Sequence, residues 1–71
     1  MSYNGHKNWN HWNVALWIGN DEGLYRHCLH LKRIAGSSRR AAEMFCVDHD
    51  KTPDGAPYTV SSVSAAIAGL E

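Results

Sequence analysis

From Trp9 to Ile18 the chain reads WNHWNVALWI, in which Trp9, Trp12 and Leu16 recur at helical spacing along one face while Val14, Trp17 and Ile18 cover another. A short helix that is apolar on nearly every side is a buried one. The pattern therefore places Trp12, Leu16 and Trp17 in the structural core, packed with Leu31, Phe45 and Ile67. Asn8 or Asn10 is suited to accept a backbone N–H as the cap of this helix. Gly19 has the conformational freedom to end the helix in the left-handed region.

Asn20, Asp21 and Glu22 supply a cap and first-turn acids for a second helix, expected over Asp21–Ala35 with Leu24, Cys28, Leu31 and Ala35 on one stripe. Gly36 stops it, and Ser37 or Ser38 caps a third helix through Val47. There Ala41, Met44, Phe45 and Asp48 share the spacing. The segment DHDKTPDGAP, residues 48–57, reads as a loop, with two prolines and a Pro-Asp-Gly turn signal. Thr59 opens a last helix striped by Val60, Val63, Ile67 and Leu70. The expectation is all-α: a compact single domain, 1–71, of three to four short helices with a Trp-rich first helix and a flexible arm over residues 1–7.

Seventy-one residues leave little room for a core, since a chain of this size buries only about 60% of its unfolded surface. Three Trp, three Tyr and one Phe answer that shortage. Any Trp left exposed would be a binding anchor, because Trp is enriched at the energetic centres of interfaces.

Lys+Arg and Asp+Glu balance at seven each, which argues against a general polyanion binder. The distribution is uneven: residues 24–41 hold Arg26, Lys32, Arg33, Arg39 and Arg40, net +5, and residues 42–71 are net −4. Two cysteines, with no basic-then-apolar leader pattern ahead of them, predict the reducing cytoplasm rather than a disulfide scaffold. The longest apolar run, Val14 to Ile18, is too short to span a bilayer.

Two kinds of chemistry can be set against these residues. His27 and His30, with Cys46 and His49, would form a zinc set if the two pairs faced each other, but their separation matches no named zinc module and no metal is expected. Cys28 and His27 are sequence neighbours, and adjacent positions on a helix do not face each other, so no nucleophile–base pair results. The expectation is a protein without catalytic residues or cofactors. The stretch Leu31–Phe45 outlines two helices joined by a Gly-Ser turn, as in a helix-turn-helix, with Ser38, Arg39 and Arg40 facing phosphates or base edges.

The run from Asn8 to Tyr25 resembles a small uncharacterised domain family of phages and plasmids whose signature reads N-Y-E-T-W-N-V-A-L-W-x-x-N-D-E-G. Trp12 to Trp17 and Asn20 to Gly23 carry the likeness. Trp9-Asn10-His11 stands where the family has Tyr-Glu-Thr, so the reciprocal Glu of a capping box is missing. What the resemblance implies is a mobile-element accessory protein that acts by binding in the host cytoplasm. By analogy it is an anti-CRISPR or other counter-defence inhibitor whose partner is a host CRISPR–Cas or other defence complex. On that reading Asp48, Asp50 and Asp54 would stand where phosphates otherwise lie, and Arg26, Lys32, Arg33, Arg39 and Arg40 would meet acidic surface or nucleic acid. The alternative is a small DNA-binding regulator using segment 31–45. The chain is expected as a monomer or small homo-oligomer.

Overall fold

The computed structural model describes residues 7–70, so the arm expected over 1–7 lies, Lys7 apart, outside the described residues. Four helices follow one another: α1 Trp9–Asn20, α2 Glu22–Ala35, α3 Ser38–Asp48 and α4 Val60–Ala68. Each begins where a short polar side chain accepts a backbone N–H: Asn8 from His11, Asp21 from Leu24, Ser37 from Arg40 and Thr59 from Ser62. At Thr59 the Ser62 hydroxyl reaches back to the Thr59 N–H, closing a reciprocal capping box.

Gly36 ends α2 at φ 84°, the left-handed conformation the sequence requires there. Gly19 does not end α1. The helix continues through Asn20, and Asp21, in extended conformation, serves both as the C-cap of α1 and as the N-cap of α2. A single extended residue turns the chain, so no left-handed glycine is needed.

α4 packs against both α1 and α3, and α2 joins α1 to α3 on the other side. The sequence of α4, VSSVSAAIA, supplies small residues where backbones come close, with Ser62, Val63, Ala66 and Ile67 turned inward. The buried cluster comprises Val14 and Ile18 of α1, Cys28 and Leu31 of α2, Ala41, Ala42 and Phe45 of α3, Ala56 and Tyr58 of the loop, and Val63, Ala66 and Ile67 of α4. Phe45 is its largest fully buried side chain. It stacks on His49 at 4.0 Å between ring centroids and meets Tyr58 edge-on at 4.9 Å.

α1 corrects the expectation from its sequence. Its inward residues are Asn13, Val14 and Ile18. Trp12 and Trp17 are half-buried, Leu16 is 36% exposed and Trp9 41%. The physical reason lies in the size of the chain: four short helices give α1 one side to bury, so a helix apolar all round must leave part of its apolar surface outside. Leu31, Phe45 and Ile67 are in the core as expected.

Residues 49–59 form an ordered loop. Lys51 and Pro57 make an isolated antiparallel bridge, Thr52 N–H donates to the Ala56 carbonyl at 2.8 Å, and Gly55 N–H donates to the Thr52 carbonyl at 2.9 Å. Pro53 presets the first central position of this turn, and Gly55 takes φ 94° after it. Ala56 and Tyr58 then drop into the core, which anchors the loop's return to α4.

Candidate functional site

The loop is fastened to α1 by four side chains. Asn13, buried on α1, donates from Nδ2 to Asp54 Oδ2 at 2.9 Å and accepts from the Thr52 hydroxyl at 2.6 Å. The Trp17 indole N–H donates to the same Asp54 oxygen at 2.9 Å, and Thr52 Oγ1 accepts from the Ala56 N–H. Asn13 and Trp17 lie four residues apart, so one helix face presents both donors to a single carboxylate. These bonds to the charged form, Asn13's first and Trp17's second, hold the Asp54 carboxyl below the usual range. Sequence reasoning missed Asn13 and Thr52. The available signal was a polar Asn in the middle of the apolar run WNVALW.

A pH dependence follows. Since the Asp54 pKa is lower folded than unfolded, the native state binds fewer protons, and its contribution is present above about pH 4 and lost as pH falls through the folded pKa. Melting temperatures measured from pH 7 down to about pH 2 should fall more gently in Asp54→Asn than in the wild type. Parallel slopes would contradict the assignment.

The remaining acidic candidates, Asp48 at the end of α3 and Asp50 just beyond it, are exposed. Asp54 is exposed as well, but Oδ2 takes both bonds and Oδ1 has no hydrogen bond among the described residues. The basic candidates divide. Arg26 pairs with Glu22 one turn away at 2.6 Å, and Arg39 reaches Glu43 at 3.7 Å. Lys32 and Arg33, with Leu29 and Gly36, line a shallow depression at the end of α2. Arg40 borders a separate groove.

Of the His/Cys candidates, His27 and His49 come together, with ring centroids 5.6 Å apart, whereas His30 is exposed. His49 Nδ1 lies 3.0 Å from the Phe45 carbonyl, an oxygen that only accepts, so this nitrogen carries the proton. The Cys46 thiol donates to the Tyr58 carbonyl at 3.5 Å. Burial pushes Cys28 up to about 11 and Cys46 upward as well, keeping both as protonated thiols at neutral pH. Among the described residues no three His, Cys, Asp or Glu side chains are grouped to hold a metal ion. No helix there is long and apolar enough to cross a membrane.

Among the described residues two apolar surfaces face outward. One is the α1 face of Trp9, Trp12 and Leu16, flanked by a His11–Ser61 contact at 3.2 Å that ties α1 to α4. The other is an open groove between the end of α2 and α3, where Ile34 is 59%, Met44 40% and Val47 82% exposed.

Fold and site together define a small four-helix domain whose tryptophan helix holds an acidic loop on one side and presents apolar surface on another. The chain belongs to a family of unknown function, DUF7249, whose model matches residues 1–67. No curated protein and no solved structure matches the chain.

Proposed function

We propose that this chain is a binding protein of a phage or other mobile element that inhibits a host defence system by occupying a surface of it. The sharpest version is an anti-CRISPR protein that seats on the effector complex in the host cytoplasm and blocks DNA or nuclease engagement. It acts without catalysis. One observation carries the binding reading: Trp9 and Leu16 stand exposed on α1 in a chain with little apolar area to spare for its core. The choice of partner rests on the resemblance carried by Trp12–Gly23. Asp48, Asp50 and the open oxygen of Asp54 supply an acidic edge against a complex that handles nucleic acid.

A second reading is a DNA-binding regulator. It draws on the cations around the Gly36–Ser37 turn, where Arg33, Arg39 and Arg40 are exposed. An affinity capture from host lysate separates the two. Stoichiometric recovery of a defence complex, lost in Trp9→Ala, is the expected outcome. Recovery of duplex DNA, with tight binding that falls steeply with salt and disappears in the Arg39→Glu/Arg40→Glu variant, would replace the inhibitor reading with the second one.

A further inference from the structure

α3 carries its charges the wrong way round for a helix. Arg39 and Arg40 occupy its first turn, where the backbone dipole is positive, and Asp48 its last, where it is negative; the helix has no first-turn acid and no last-turn base. Arg39 leans toward Glu43, but Arg40 and Asp48 make no ion pair among the described residues. Between these two lie Met44 and Val47, both exposed, with Ile34 beside them across the groove. An exposed helix face that breaks a local charge rule at both ends around an apolar centre calls for a partner that meets both ends.

We infer that α3 packs against α3 of a second copy of this chain, antiparallel about a two-fold axis at Met44. In such a pairing each residue faces the one equally far beyond Met44 on the other helix. Arg40, four positions before Met44, faces Asp48, four positions after it, and the symmetry makes this contact twice. At the shallow crossing of about 20° common between helices, axes 8–10 Å apart diverge little over the roughly 6 Å from Met44 to either charge. Val47 of each copy falls opposite position 41 of the other, between Arg40 and Met44 and next to Ile34, and so enters the groove those residues line. Glu43, nearest the axis among the charges, is already offset by its own Arg39. A second copy fits better than an unrelated partner because the surface is its own complement: one cation and one anion at equal distances from one apolar centre. The pairing is independent of the inhibitor reading and leaves the α1 face open on both copies.

Sedimentation equilibrium of the purified chain across the micromolar range tests it. The wild type is expected to rise from 7.9 kDa toward twice that mass. Arg40→Asp and Asp48→Arg each place like charges in contact twice over, and each should weaken the dimer by at least about ten-fold. The double variant, with the pair reversed, should recover it. Both single changes put the favourable charge at their end of α3, so helicity and melting of the monomer should hold or improve, and loss of the dimer cannot be laid to unfolding. A wild type that stays at single-chain mass, single variants that dimerise as well as wild type, or a double variant that fails to recover would each overturn the inference.

Discussion

Asn13→Ala is expected to destabilise the fold by about 2–4 kcal/mol, seen as a lower denaturant midpoint. Asn13 is buried and is the only described side chain that bonds both Thr52 and Asp54. Its truncation removes two hydrogen bonds and leaves the buried Thr52 hydroxyl proton without its acceptor. The total stability of a chain this long is on the order of 4–11 kcal/mol, so the loss is a large share of it. Asn13→Asp, nearly identical in shape, should be worse. It replaces the donor with an oxygen facing the Asp54 carboxylate and puts a charge where the side chain is buried. If either variant melts as the wild type does, the loop is not held from α1.

Phe45→Ala should lower the melting temperature steeply. Phe45 is fully buried at the centre of the helix packing, against His49 and Tyr58, with the His27 ring 6.0 Å away. Truncating a buried Phe costs about 3–5 kcal/mol, a large share of the stability available here. Phe45→Leu should lower the melting temperature less, because most of the volume remains. Calorimetry of the two variants checks this. A sharp transition in Phe45→Ala close to that of wild type would place the core elsewhere.

The helices were legible in the sequence because their ends are decided locally. Asp21, Ser37 and Thr59 each accept an N–H three residues on, and Gly36 takes the one conformation that a side chain would strain. The orientation of α1 was not legible. A helix apolar on every side gives periodicity no direction to point in, and what decides the matter is Asn13 meeting Thr52 and Asp54, 39 and 41 positions away. The same long-range bonds turn Trp17 from an expected core residue into a hydrogen-bond donor for the loop. For the candidate site, the sequence pointed to Asp48, Asp50 and the arginines as partner-binding residues, and the fold leaves them exposed. That Asp54 is tied to α1 while Asp48 and Asp50 are not required the fold.

We propose that the exposed face of the tryptophan helix, Trp9 and Leu16, binds a protein of the host's defence. The test is phage plating on hosts whose CRISPR systems target the infecting phage, with the chain expressed as wild type or as the Trp9→Ala/Leu16→Ser variant. Both positions are exposed, so the variant is expected to fold with little change in stability. Plating is expected to be restored with wild type and not with the folded variant. Unchanged plating with wild type across hosts carrying each effector class, or full restoration by the variant, would contradict it.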